Sequence, residues 1–273
     1  GDPWAEVAMG CRDRSVADIV ERAALLGLAA GAIDRHPVEA NPLGLSIALE
    51  RPIRLASARP LVIDLSSLWA GPLCAHLLGL LGCRVVAVAS VRRPDPTASS
   101  APAFHRLLRE GTDRVALDLT ASDDLARLRD LLAAADLVIA ASRPRALAQL
   151  GIDAEACAKT ATWLSITAYG RTGNRIGYGD DVAAAAGLLG TGGGFAGDAL
   201  ADPLTGAHAA VAALARRTTT SVGLVEVSMY DVAQAARTPT PDATVVARDG
   251  SWFVDTGRDL VAVREPSRRE PAR

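Results

Sequence analysis

Asp202 is the residue whose type and setting most readily do chemistry in this chain. It precedes Pro203 and an Ala-rich run, the pattern of a helix N-cap. Peptide dipoles at a helix N-terminus favour negative charge, so a carboxylate there stays ionised, and an ionised carboxylate is a covalent nucleophile as well as a cap. Asp180, Asp181 and Asp198 lie nearby in sequence. Their spacing matches no Ca²⁺ or Mg²⁺ loop, so no metal is expected.

Other reactive side chains are scattered. His36, His76, His105 and His208 assemble no Ser-His-Asp or Cys-His set, and each reads as a surface or satisfied core residue. Cys11, Cys74, Cys83 and Cys157 sit in apolar stretches, as small hydrophobes of a reducing cytoplasm do, and form no disulfide framework. Cys74 and His76 stand two apart, without a second ligand pair at zinc spacing. The run Gly190-Thr191-Gly192-Gly193-Gly194 offers backbone N–H groups to an anion but lacks the Lys-Ser/Thr of a P-loop.

The elements that must position these groups are legible around Pro60 to Ser90. Leu61-Val62-Ile63-Asp64-Leu65 and Val85-Val86-Ala87-Val88 are short apolar runs of strand type. Between them Leu73, Leu77, Leu78 and Leu81 recur at helical spacing, with Pro72 fitting the first turn and Gly82 the end. A right-handed βαβ unit follows, and its first turn, Ser66 to Pro72, lies at the carboxyl end of a strand, where open α/β sheets bind ligands. The turn lacks G-x-G-x-x-G, so the dinucleotide fingerprint is absent.

Upstream, Ser15 and Asp18 cap one helix ending at Gly27, and the apolar run Leu43 to Leu49 is a connector or an added edge element. Downstream, strands are expected at Val115 to Leu119, Asp136 to Ala140, Trp163 to Thr167 and Val222 to Val227. Helices are expected between them, one capped by Thr120 and Asp123, one from Asp181 to Leu189 and one starting near Met229. This alternation gives an α/β fold with a doubly wound, mostly parallel sheet. The expected divisions are 1–60, an N-terminal helical segment and connector; 61–236, the α/β domain; and 237–273, an extension with a hairpin at Asp249-Gly250 and a disordered tail.

With 273 residues and 49% hydrophobic composition the chain has ample core. A net charge of -2 and the absence of a basic stripe exclude a nucleic-acid partner, and no apolar run is long enough to span a bilayer. A cytoplasmic protein is expected.

Several of these segments, in order, resemble family III CoA-transferases, which include the α-methylacyl-CoA racemases. They are Leu61 to Leu65 with Trp69-Ala70-Gly71-Pro72, Gly82-Cys83-Arg84-Val85-Val86, Arg114 to Leu119, Ala135 to Ile139, and Arg143-Pro144 with Leu150-Gly151. Ser165-Ile166-Thr167, Gly170-Arg171-Thr172-Gly173, and Asp202 with Thr205-Gly206 complete the series. The resemblance spans Leu61 to Ala236, and the helix at Ser15 to Gly27 more weakly resembles an element the family carries near its C-terminus.

The resemblance implies a CoA-transferase that moves CoA from an acyl-CoA to a carboxylic acid, with Asp202 as nucleophile and no permanently bound cofactor. It implies a homodimer with interlocked chains. CoA is implied to lie against Ser67, Trp69 and Ala70 of the first turn and Arg92 and Arg93 after the second strand. Further along it would meet Arg143, Ala146 and Gln149, then Gly179 and Asp180 beside the nucleophile. The glycines at Gly192 to Gly194 are candidate oxyanion donors.

Two departures keep a second reading open. Val85 to Ala89 lacks the Lys and Glu the family carries there, and Ala148-Gln149-Leu150-Gly151 stands where an Arg is usual, with Arg145 a further candidate to replace it. A non-catalytic subunit, partnering a second CoA-transferase-like copy, fits these losses. Gly179 stands where racemases carry a histidine, which disfavours racemase chemistry. The chain is expected to be a minimal or rearranged member, or one part of a larger two-copy protein.

Overall fold

The computed structural model describes residues 1–33, 45–52, 59–142, 144–172, 175–190, 193–218, 221–237, 244–255 and 260–262. The chain divides into two compact units, Gly1–Arg237 and Thr238–Arg273. The expected disordered tail lies outside the described residues.

The first unit opens with α1 (Pro3–Cys11) and α2 (Val16–Leu25). Only α2 was legible as a helix. It is capped as expected, the Ser15 hydroxyl accepting from the Asp18 N–H at 3.1 Å. α1 corrects the expectation of a single N-terminal helix: Asp2 caps it by accepting from the Trp4 N–H, with Pro3 in the first turn. It buries no residue, so it carries no apolar stripe to read; Trp4, Val7 and Met9 are exposed.

There follow β1 (Leu45–Pro52), β2 (Leu61–Asp64), α3 (Ala70–Leu80), β3 (Arg84–Ser90), α4 (Thr97–Ser100), α5 (Pro102–Leu108), β4 (Asp113–Leu117) and α6 (Ser122–Ala134). After them come β5 (Leu137–Ala140), α7 (Pro144–Gln149), α8 (Ala154–Cys157), β6 (Thr162–Thr167), α9 (Gly179–Ala185), α10 (Ala201–Thr218), β7 (Ser221–Ser228) and α11 (Met229–Ala236). The α9 helix begins two residues earlier than expected, and Gly187, at φ +80, lies just past its end.

The seven-stranded sheet runs β1-β7-β6-β5-β2-β3-β4, parallel except for β1, which pairs antiparallel with β7. The strand order reverses direction between β2 and β5, which are direct neighbours. That junction is the topological switch point, where sheets of this kind form a crevice at their carboxyl ends.

Alternating side chains feed two cores. Val62, Val85, Ile139, Leu164 and Val225 join α3, α9, α10 and α11 on one face; Ile63, Val86, Val138, Trp163 and Leu224 meet α6 and α7 on the other. Burial on both faces makes the parallel strands read as unbroken apolar runs.

The helix after β4 is not capped as expected. Its N-cap is Ala121, with no side-chain bond. Thr120 instead donates its hydroxyl to Asp118 Oδ1 at 2.7 Å, and Asp124 accepts from the Asp118 N–H at 2.8 Å. Asp118 thereby ends β4 at Leu117, two residues before the expected boundary.

Helices α3 and α10 cross closely because Gly206 has no side chain. A Cβ there would lie 2.7 Å from the Ala70 carbonyl oxygen and 3.0 Å from Leu73 Cβ. Beside it Thr205, fully buried, returns its hydroxyl to the Ala201 carbonyl at 2.6 Å.

The second unit is a separate three-stranded antiparallel sheet, β8 (Thr244–Arg248), β9 (Ser251–Asp255) and β10 (Leu260–Ala262). β8 and β9 form a hairpin whose turn, Asp249-Gly250, has both residues at positive φ, as a type I′ turn requires.

Gly206→Val is expected to destabilise the first unit by about 1–3 kcal/mol, because the rigid Ala70 backbone leaves the branched side chain no room. Urea denaturation followed by circular dichroism measures it, and an unchanged midpoint would refute the close approach.

Candidate functional site

The site is built where three helices begin. Asp202 lies in the first turn of α10, its N–H bonded to the Ala199 carbonyl at 2.8 Å. The expected N-cap role is corrected here: the carboxylate reaches the starts of two other helices. Its Oδ2 accepts the Gly179 N–H of α9 at 3.1 Å, and the Ala70 N–H at the start of α3 is directed at the same carboxylate. Free N–H groups at helix starts seek acceptors, so one carboxylate serves both ends.

Gly179 must be glycine for this arrangement. A Cβ there would lie 2.4 Å from both Asp202 Oδ2 and the Ala199 carbonyl oxygen. Asp180 props the other side of the crossing by accepting the Ala199 N–H at 2.6 Å, and Asp181 accepts the Tyr178 N–H at 2.6 Å.

Burial pushes the Asp202 carboxyl up to about 6, aided by Asp180 and Asp181 and opposed by the N–H groups of Ala70 and Gly179. Burial also raises Asp181, and it pushes the Tyr169 phenol up to about 12. At neutral pH Asp202 is therefore mostly ionised yet more basic than a solvated aspartate.

The turn that presents the Ala70 N–H rests on a buried ion pair that sequence reading missed. Asp64, at the end of β2, is fully buried and pairs with Arg109 Nη1. Its Oδ1 accepts the Ser66 N–H at 2.8 Å and the Ser66 hydroxyl. Arg109 Nη2 donates to the Ser66 carbonyl at 2.7 Å. Burial pushes the Asp64 carboxyl up while the Arg109 charge holds it down. Asp95 Oδ2 stands 3.7 Å from Arg109 Nη2 and accepts the Leu68 N–H at 3.1 Å. Leu68 itself sits at φ +68, an unusual conformation for a residue with a side chain. Trp69 packs edge-on against Phe104 with ring centroids 4.9 Å apart. The signal for the pair was an acid inside an apolar strand with an Arg just past a short helix, 45 residues apart.

The other expected site residues are dispersed. Ser67 is exposed on the turn. Arg92 forms an ion pair with Asp118 at 2.8 Å, and Arg93 is exposed; both follow β3, on the β4 side of the switch point. Arg143 and Gly192 lie outside the described residues. Ala146 is half-buried and Gln149 exposed on α7. The Gly193 N–H is spent on the Gly190 carbonyl at 3.1 Å, and the Gly190 N–H on the Gly194 carbonyl at 3.0 Å.

A cleft of about 580 Å³ opens beside the β5–α7 connection, bringing together Ser142, Arg145, Ser165 and Arg171. A second, of about 910 Å³, lies between α2 and the Tyr169–Arg175 stack, in which the guanidinium stands 3.8 Å above the ring. Among the described residues no group of three or more His, Cys, Asp or Glu side chains could hold a metal.

A doubly wound sheet with a half-buried carboxylate among three helix starts beside its switch point defines the class: an α/β protein of doubly wound type. The model of CoA-transferase family III matches residues 60–251, and the chain belongs to that family. No curated protein matches it. Among solved structures it is similar to a hypothetical protein of Mycobacterium tuberculosis, Rv3272, with 25% identity and a TM-score of 0.60 over 74% of this chain and 64% of that one. An orthorhombic form of the same protein gives 26% identity and 0.57 over 75% and 63%. A CAIB/BAIF family protein of Brucella suis shares the fold at 21% identity and a TM-score of 0.60, over 75% and 66%. The chain thus spans just under two thirds of the length of the M. tuberculosis protein.

Raising a buried carboxyl means that the folded state binds its proton more tightly than the unfolded chain, so stability falls as pH rises through the window between the two values. For Asp202, raised from 3.8 to about 6, this loss amounts to about 3 kcal/mol. Asp202→Asn lacks it. The variant is expected to gain on the parent by that amount as pH rises from about 4 to 7, read from paired denaturation curves; a constant difference would contradict the burial.

Proposed function

We propose that the protein is an acyl-CoA:carboxylate CoA-transferase with Asp202 as its covalent nucleophile. The observation that carries this reading is the Asp202 carboxylate bonded to the Gly179 N–H and faced by the Ala70 N–H beside the switch point.

An Asp202 oxygen attacks the thioester carbonyl and expels CoA thiolate, leaving a mixed anhydride. The thiolate attacks the aspartyl carbonyl, releasing the donor acid and forming an aspartyl-CoA thioester. The acceptor carboxylate then displaces the thiolate to give a second anhydride, and the thiolate takes the new acyl group, restoring Asp202. Each step exchanges a carboxylate for a thiolate or the reverse, which divides one hard transfer into easier ones. The raised basicity of Asp202 favours attack, and the N–H groups that hold it suit the oxyanions formed at its own carboxyl carbon. Arg145 and Arg171, at one cleft beside the β5–α7 connection, suit the phosphates of CoA.

The protein is read as cytoplasmic, acting on acyl-CoA and a carboxylic acid as a homodimer. The absence of a side chain at Gly179, where one would collide with Asp202, argues against an imidazole base there and so against racemisation. A non-catalytic subunit partnering a second CoA-transferase-like copy is favoured by one observation: Arg92, expected at the CoA phosphates, is engaged by Asp118.

Incubation with an acyl-CoA panel and hydroxylamine is expected to convert Asp202 to its hydroxamate, located by peptide mass spectrometry. Turnover falls on the order of a thousandfold or more in Asp202→Asn. In the parent the rate declines below pH about 6 as the carboxylate gains its proton. No adduct on any acyl-CoA would favour the non-catalytic subunit.

A further inference from the structure

The Ala70 N–H is directed at the Asp202 carboxylate, and a Cβ at Gly206 on the Asp202 helix would lie 2.7 Å from the Ala70 carbonyl oxygen, so Ala70, which owes its position to the turn from Leu65 to Trp69, stands against that helix. That turn has little regular structure of its own. Its Ser66 peptide is gripped at both ends: Asp64 takes its N–H at 2.8 Å, and Arg109 Nη2 holds its carbonyl at 2.7 Å. Leu68, at φ +68, is tied by its N–H to Asp95, which in turn faces Arg109. The turn is also folded tightly beneath α3, since a Cβ at Gly71 would lie 2.1 Å from Ser66 Oγ. Arg109 meets Asp64, the Ser66 carbonyl and Asp95 together.

We propose that Arg109 is a positioning residue for Asp202: with Asp64 it fixes the turn that presents the Ala70 N–H to that carboxylate. The proposal rests on the reading of Asp202 as the reacting group. A planar guanidinium donates to the Asp64 carboxylate and the Ser66 carbonyl and faces Asp95 from one fixed fork, which a lysine ammonium cannot reproduce. On its other sides Asp202 faces the Gly179 N–H and the carboxylates of Asp180 and Asp181. Arg109 thus acts on it through the backbone of the turn, and loosening the turn removes a donor from the ionised form.

The test follows the Asp202 carboxyl carbon by ¹³C NMR in the full chain labelled at aspartate, the resonance identified by its loss in Asp202→Asn. In Arg109→Lys the titration midpoint is expected to move up by about one pH unit, the size of one weakened charge-assisted hydrogen bond. Asp64→Leu combined with Arg109→Met replaces the pair by apolar groups of similar volume, a change that folds tolerate, and is expected to show the same upward movement. An unmoved midpoint in either folded variant overturns the proposal, even if the protein melts earlier, because a merely structural pair would lower stability alone. Turnover retained in Asp202→Asn overturns the reading beneath it. That failure is told apart because the midpoint still moves in Arg109→Lys.

Discussion

The buried pair of Asp64 and Arg109 is the constraint on which the carboxyl edge of the sheet depends. Removing two charges from water is expensive, and attraction between them offsets that cost only when every remaining lone pair and proton is satisfied. Here the Ser66 backbone and hydroxyl do the satisfying. The charges thereby grip backbone, and a four-residue strand ends in a rigid turn. An apolar pair of equal volume would fill the space without holding the chain.

Above that turn, small residues take over. Gly206 lets α10 approach α3, Gly179 lets α9 approach Asp202, and Gly71 lets α3 fold over Ser66. Three helix starts converge where side chains would otherwise keep them apart. The result is a carboxylate solvated by peptide N–H groups in place of water, fixed before any substrate arrives, as electrostatic preorganisation requires. One turn on from Asp202, Thr205 and Gly206 serve packing: one returns its hydroxyl to its own helix and the other admits α3.

Much of this was legible because it is local. The β2–α3–β3 unit, the alternation of strands and helices, the Asp249-Gly250 hairpin and the place of Asp202 at a helix start all follow from local spacing and turn chemistry. What failed was not local. Asp202 reads as a cap for its own helix because sequence cannot show that Ala70 and Gly179 lie closer to its carboxylate. Arg109 follows a short helix and Asp64 ends an apolar strand, and nothing local in either stretch pairs them. The Thr120–Asp123 cap failed for the opposite reason: Asp118, two residues before Thr120, outcompetes the helix for its hydroxyl. α1 was invisible because a helix with no buried face leaves no periodic trace.

The first strand of the sheet has a consequence for how the molecule is made. Among the described residues β1 pairs with β7 alone, and Ser46 reaches Glu226 across 180 residues while Arg216 reaches Glu50 across 166. On the ribosome β1 emerges well before β7 and waits for it while the strands and helices between them are synthesised. Pairings of such long separation close slowly. An unpaired apolar strand that waits is a hazard for association with other nascent chains. The β2-to-β4 half can form behind it, so the natural order of assembly is a parallel core first and its antiparallel edge last.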